Sequence, residues 1–183
     1  MKTVSYKNKK SLLDKLKAKS KREANIFFSL CEKDSEIIST RRFKDVLLNS
    51  GLKAKDKRLY NLFQNLDAHG ERIVFEDFIN IIRSSELIVE KALRGELSIP
   101  DFSYFAKNLD NMFDEVKKIK SGELASYIPP LANVDPDQFG VAIVTTDGQI
   151  YQRGDSEVDF SIQSMCKPFN YCFAMEKLGL EKV

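Results

Sequence analysis

The stretch FSIQSMCKPF, residues 160–169, decides the fold of the carboxyl-terminal part of the chain. On a helix, Ser164 and Lys167 lie one turn apart on the same face, because side chains at i and i+3 are neighbours. Pro168 has no amide hydrogen and fits the first helical turn, where the first four N–H groups lack partners within the helix. The sequence therefore predicts a helix with Ser164 at about its N-cap.

This placement predicts nucleophilic chemistry at Ser164. The positive end of the helix dipole stabilises an oxyanion, and the serine's own amide can help to form an oxyanion hole. We expect aromatic neighbours to cover Lys167 and to desolvate it enough for it to lose its proton and act as the base. Such a pair can attack an amide or an ester. The spacing alone is weak evidence, since Ser50 and Lys53 share it. There a helix is predicted to end at Asn49-Ser50-Gly51, with Gly51 as a left-handed cap.

The sequence also predicts the secondary structure that precedes this helix. The run VAIVTTDGQIYQRG, residues 141–154, predicts a buried strand, a tight turn at Asp147-Gly148 and a second strand. Upstream, Ser98-Ile99-Pro100-Asp101 predicts the start of a helix, with a capping side chain and a proline near the first helical position, and this helix runs to about Ile119. We expect its apolar stripe to pack on the following domain and join the two; the stripe consists of Phe102, Phe105, Leu109, Met112, Phe113, Val116 and Ile119.

The amino-terminal half predicts two helix–loop–helix pairs, because apolar residues recur at helical spacing from Ser11 to about Leu93. The loop DAHGERIVFEDF, residues 67–78, resembles an EF-hand loop. Such a loop needs a glycine at its sixth position and a bidentate acid at its twelfth. Counting back from Asp77 puts Glu71 at the sixth position, and Arg42 replaces the acid of the first loop. We expect a degenerate pair without calcium or other metal, and we interpret His69 as a turn residue.

Composition excludes several classes of protein. The chain of 183 residues has 43% hydrophobic and 31% charged residues, with neither a membrane-spanning run nor a secretory signal. An odd number of cysteines, Cys31, Cys166 and Cys172, indicates free thiols in a reducing compartment. Residues 1–22 carry nine basic residues and one acid (+8), so residues 23–183 carry −6 of the net +2. RNA or membrane contact and targeting are possible roles for this tail, but we interpret it as a solvated end.

Four motifs together resemble the serine-dependent glutaminases of β-lactamase-like fold, most closely the kidney-type kind with its EF-hand-like helical domain. They are IPDF at 99–102, ELASYIPPLA at 123–132, VTTDGQIYQRGD at 144–155 and FSIQSMCKPF. The resemblance implies that Ser164 is the nucleophile and Lys167 its activating base. It also implies that Gln163 contacts the substrate and that Tyr127 helps proton transfer. No cofactor is implied.

The expected architecture is an α-helical EF-hand-like domain followed by the start of an α/β (α+β) serine β-lactamase-like domain with antiparallel strands. We predict a basic tail at 1–22, the EF-hand-like domain at 23–95, a connecting amphipathic helix at 96–120 and a truncated catalytic domain at 121–183. The resemblance implies that such catalytic domains continue well beyond this point. The chain is therefore expected to be an N-terminal part of a glutaminase and to be inactive alone.

Two functions remain open from the sequence. The first is hydrolysis of L-glutamine to glutamate and ammonia through a glutamyl-serine ester. The second is a catalytically inert short form or fragment, a helical interaction module that docks to a full-length partner. For either one we expect a homo-oligomer, no nucleic-acid or membrane partner, and a cytoplasmic location, or a mitochondrial one if the source is eukaryotic.

Overall fold

The computed structural model describes residues 18–31 and 35–183. A helical region comes first. Its helices are α1 Ala18–Leu30, α2 Thr40–Asn49, α3 Tyr60–Ala68, α4 Phe75–Ile82, α5 Glu86–Arg94 and α6 Phe102–Lys117. Two short strands lie between these helices, β1 Ile38–Ser39 and β2 Arg72–Ile73. The rest of the chain forms a 3₁₀ turn Pro129–Asn133, strands β3 Gly140–Val144 and β4 Ile150–Gly154, a 3₁₀ turn Gln163–Met165 and helix α7 Cys166–Leu178.

The core of the helical region is built from the apolar faces of α1 to α5. Phe27, Phe43 and Phe78 are almost fully buried, and the Phe78 ring lies 5.5 Å from each of the other two rings. The loops of the two helix pairs meet through β1 and β2, which pair antiparallel with Ile38 opposite Ile73. The predicted helical amino-terminal half is confirmed for the described residues, whereas the predicted start at Ser11 lies outside them.

Two predicted helix boundaries are confirmed by their local geometry. Gly51 follows α2 in the left-handed region, with φ of +83°, and a side chain there would lie 2.7 Å from the ring of Phe102. The predicted start at Ser98–Asp101 is confirmed in its last residue: Asp101 caps α6, because its carboxylate accepts a hydrogen bond from the Tyr104 amide at 2.9 Å, while Pro100 precedes the cap instead of entering the helix. These two ends bring the start of α6 against the end of α2.

The predicted hairpin is present as an antiparallel pair of β3 and β4, with Val144 opposite Ile150. Its loop is longer than a two-residue turn, because the last hydrogen bond between the two arms runs from the Thr145 amide to the Gln149 carbonyl and encloses three residues. One of these, Gly148, is left-handed with φ of +91°. The prediction that the first strand is buried is wrong, because Val144 is 68% exposed. Among the described residues, β3 pairs only with β4, so no strand pairs with its outer edge.

Helix α6 packs with one side only. Its Phe113 ring lies 4.7 Å from that of Phe139 and is covered by the guanidinium of Arg153, so the predicted contact with the following segment is confirmed. Met112, Val116 and Ile119 are exposed, which makes the prediction of a fully packed stripe wrong. The stripe is wider than the surface that the short hairpin can cover. Within the described part of the chain, no helix is long and apolar enough to cross a membrane.

Candidate functional site

The Ser164 segment forms a continuous helical entry. Ser164 lies in the 3₁₀ turn Gln163–Met165, and this turn runs directly into α7. The prediction that Ser164 lies at about the N-cap is confirmed to within one residue, because Met165 is the N-cap of α7. Ser164 itself lies in the preceding 3₁₀ turn, where the Cys166 amide donates to the carbonyls of both Gln163 and Ser164. Pro168 is the third residue of α7, within the first turn as predicted. Gly179 ends the helix, with its amide donating to Met175 at 2.9 Å.

Gln163 has an unusual backbone. Its φ of +44° is the only positive value at a non-glycine position among the described residues. Residues other than glycine seldom adopt this region, and such strained positions concentrate at functional sites. The strained residue immediately precedes Ser164, so it sets the direction in which the chain enters the 3₁₀ turn.

Tyr127 and Gln163 come together although they are far apart in the sequence. The Tyr127 hydroxyl donates a hydrogen bond to the side-chain carbonyl of Gln163. The other two predicted residues are not joined in this way: within the described residues, no hydrogen bond links the Ser164 hydroxyl to the Lys167 ammonium group. The structure thus brings together one pair of the predicted site and places the second pair on one helical turn.

The expectation that aromatic residues cover Lys167 is wrong for this structure. Lys167 and Ser164 are exposed, and Phe169 and Phe173 are 57% and 60% exposed themselves. None of the residues of α7 is buried, so water reaches the lysine. Large apolar residues occur on several sides of this helix, a pattern typical of a helix enclosed by other elements. Desolvation of Lys167 would require such a cover.

A cavity of about 590 Å³ opens beside Gln163. Its walls come from the segment before β3 and from the segment between β4 and the 3₁₀ turn; among them are Leu131, Phe139 and Phe160, and the carboxylates of Asp135, Asp155 and Asp159. Ser164 and Lys167 do not line it. The cavity therefore adjoins the candidate nucleophile without containing it.

Charged residues that the motifs did not reveal hold the hairpin against the helices. Arg153 on β4 donates to Asp110 at 2.9 Å and to Asp114 at 2.8 Å, both on α6. Tyr151 also donates to Asp110, and burial together with this bond raises the pKa of Tyr151. Asp147, in the hairpin loop, pairs with Lys91 of α5 at 2.8 Å. The sequence predicts the hairpin, but it does not predict which charged residues of α5 and α6 bind to it.

In the second EF-hand-like loop, two carboxylates lie beside basic or imidazole groups. Asp67 pairs with Lys44, and the His69 ring lies 3.7 Å from the Asp77 carboxylate and 3.2 Å from the Arg72 carbonyl. In the described part of the chain, no three His, Cys, Asp or Glu side chains are grouped to hold a metal ion. The absence of a calcium site stays a prediction, and the cationic and imidazole groups beside Asp67 and Asp77 are the observation that supports it.

Comparison with known proteins agrees with the two parts of the fold. Residues 122–183 match the Glutaminase family model. The chain is a relative of the glutaminases. Residues 22–100 match an EF-hand domain model, as the helical pairs lead one to expect. The predicted family resemblance is confirmed by both matches. We call residues 122–183 the glutaminase segment.

Individual glutaminases match over different lengths. The mitochondrial liver isoform of Rattus norvegicus is 30% identical over 164 residues, covering 86% of this chain and 27% of that protein. Putative glutaminase 3 of Caenorhabditis elegans is 34% identical over 153 residues, covering 78% of this chain and 26% of that protein. Glutaminase 2 of Bradyrhizobium diazoefficiens is 48% identical over 75 residues, covering 41% of this chain and 12% of that protein. The chain thus spans about a quarter of the length of the first two.

Proposed function

We propose that this chain contributes the nucleophile of a glutaminase, which hydrolyses L-glutamine to L-glutamate and ammonia. The observation that carries the proposal is the family match of the glutaminase segment, within which Ser164 and Lys167 lie one helical turn apart. The bond between Tyr127 and Gln163 supports it further, because it joins the two other residues expected at the site. We also propose a β-lactamase-like fold for the domain to which this segment belongs.

The proposed reaction begins with attack of the Ser164 hydroxyl oxygen on the side-chain amide carbon of glutamine. Neutral Lys167 takes the hydroxyl proton, and a tetrahedral intermediate forms with its negative charge on the former carbonyl oxygen. Amide groups at the helical entry are suited to stabilise that charge. The C–N bond then breaks, ammonia leaves with a proton passed on through Lys167 and Tyr127, and a glutamyl ester of Ser164 remains.

Water completes the cycle. Lys167 accepts a proton from the attacking water, the ester bond breaks, and the proton returns to the Ser164 oxygen as glutamate leaves. Gln163 is proposed to hold the substrate through its side-chain amide. The described residues offer no cluster of groups that would grip the amino and carboxylate ends of glutamine beside Ser164. Because Ser164 and Lys167 are also exposed, we expect the 183 residues by themselves to be inactive.

A chimera tests this function. This chain replaces the matched region of the rat liver isoform, and ammonia release from glutamine is measured. We expect turnover, and we expect Ser164→Ala and Lys167→Ala to lower it by roughly three orders of magnitude or more, as loss of a nucleophile or its base does. Ser50→Ala is the matched control, since Ser50 and Lys53 have the same spacing but lie in the helical region; it should leave turnover unchanged. Full turnover in Ser164→Ala would refute the proposal.

The oligomeric state and the cellular location of this chain are predictions from the sequence. A homo-oligomer stays a prediction for this chain. The mitochondrial location in the printed name belongs to the rat relative. For this chain, a cytoplasmic location, or a mitochondrial one in a eukaryotic source, stays a prediction.

A further inference from the structure

A buried glutamine joins the hairpin to two separate stretches of the helical region. The Gln149 side chain is fully buried, and its amide nitrogen donates to the carbonyls of Ser50 at 2.9 Å and Ile99 at 2.8 Å. Its amide oxygen accepts from the Ile99 amide at 2.9 Å. Ser50 lies at the end of α2 and Ile99 lies just before α6. One side chain from the hairpin therefore satisfies main-chain groups of two separate stretches at once.

The main chain makes a second connection at the same place. The Ile150 amide donates to the Gly51 carbonyl at 2.8 Å, and Gln149 forms a β-bridge with Leu52, which is fully buried. The first residues of β4 are therefore paired on one side with β3 and on the other with the end of α2. Isolated two-stranded hairpins are marginally stable in water. The helical region supplies the additional partner that this hairpin needs.

The far end of β4 is also held by the helical region. Arg153 bonds to Asp110 and packs over the Phe113 ring at 4.8 Å from its centroid. Beyond β4, the Asp155 carboxylate accepts from the Phe139 amide at 2.9 Å. The following residues line the cavity up to Gln163. Contacts thus run from Gln149 along β4 to Asp155, and the chain continues from there along the cavity wall to Gln163, the residue that precedes Ser164.

We propose that Gln149 is a positioning residue that couples the helical region to the segment carrying Gln163 and Ser164. The helical region is then a structural part of the site's scaffold, although it contributes no group to the reaction. The catalytic meaning of this coupling rests on the proposed function, but the coupling itself does not. It is therefore tested by measurements that need no turnover.

The test compares Gln149→Leu with Gln152→Leu in the full 183-residue chain. Leucine has nearly the size of glutamine but cannot form hydrogen bonds, so the buried main-chain groups of Ser50 and Ile99 lose their partners. A buried polar group without a partner lowers the free energy of unfolding. Gln152 is the matched control: it lies on the same strand, and its amide makes only long contacts of 3.4 Å and 3.5 Å at the surface. Amide exchange in β4 should rise roughly hundredfold in Gln149→Leu and by less than about threefold in Gln152→Leu.

A second readout separates coupling from general destabilisation. The backbone amide signal of Gln163 in a nitrogen–proton correlation spectrum should shift in Gln149→Leu and stay in place in Gln152→Leu, while exchange in α3 and α4 is unchanged. An unmoved Gln163 signal alongside faster exchange in β4 would show that the coupling stops at the strand, and would overturn the proposal. So would equal acceleration in β4, α3 and α4. If Gln149→Leu fails to fold, Gln149→Asn, which keeps the amide but is shorter by one methylene, is measured the same way, with the same outcomes.

Discussion

Asp147 provides the sharpest quantitative prediction, because its contacts are few and well defined. Its carboxylate accepts hydrogen bonds from the Ser98 amide and hydroxyl, each at 2.8 Å, and from the Lys91 ammonium group at 2.8 Å. The side chain is only 15% exposed, whereas Lys91 is 37% exposed. Asp147→Asn keeps the shape and removes the charge and one acceptor oxygen.

The expected cost is about 2 kcal/mol of unfolding free energy at pH 7. The Ser98 bonds to a charged acceptor account for roughly 1.5 kcal/mol, and the partly exposed Lys91 pair adds at most about 0.5 kcal/mol after screening by solvent. The hydrogen bond from Lys91, followed by that from Ser98, lowers the pKa of Asp147. A lowered pKa gives stability that is complete above the unfolded value near about 4 and is lost as pH falls through the folded value.

Urea denaturation followed by circular dichroism at several pH values measures this cost. The difference between wild type and Asp147→Asn should be constant from pH 7 to about 5 and should shrink below about pH 4. Asp45→Asn is the control, because Asp45 lies 3.9 Å from Arg41 on an exposed helix surface and should cost less than about 0.5 kcal/mol. An Asp147→Asn cost that does not change with pH, or that equals the control, would refute the reasoning.

Two further predictions concern the helical region. Gly51→Ala should lower the unfolding free energy by more than about 1 kcal/mol, because alanine is strained at positive φ, and its methyl carbon would lie 2.7 Å from the Phe102 ring; Gly70→Ala, with nothing within 4 Å, is the control in the same urea assay. Millimolar calcium should leave the melting temperature unchanged, since Arg42 and Glu71 occupy the places of the acid and the glycine; a calcium-dependent rise in calorimetry would contradict the interpretation of the loops as structural relics.

Local features of this chain were predictable from its sequence because the signals and the structures are both local. The cap at Asp101, the left-handed Gly51 and the hairpin between β3 and β4 depend on residues within a few positions of each other. The start of α7 and the place of Pro168 follow from the missing amide of proline.

Contacts between distant segments were not predictable in the same way. Gln149 bonds to main-chain carbonyls and an amide, which every sequence contains, so no residue pattern points to its partners. The covering of Lys167 was predicted from aromatic neighbours in sequence, but desolvation depends on which elements pack over a helix. The prediction that Met112 is packed was wrong for the same reason: helical spacing identifies an apolar face without identifying what covers it.

The central claim is that glutamine chemistry takes place at Ser164 through a covalent ester. Rapid quenching of the chimera during turnover, followed by mass spectrometry of its peptides, tests this claim most directly. We expect a glutamyl adduct on the peptide that contains Ser164, located on the serine itself and absent from Ser164→Ala. Ammonia release without any adduct on Ser164, or with the adduct on another residue, would contradict it.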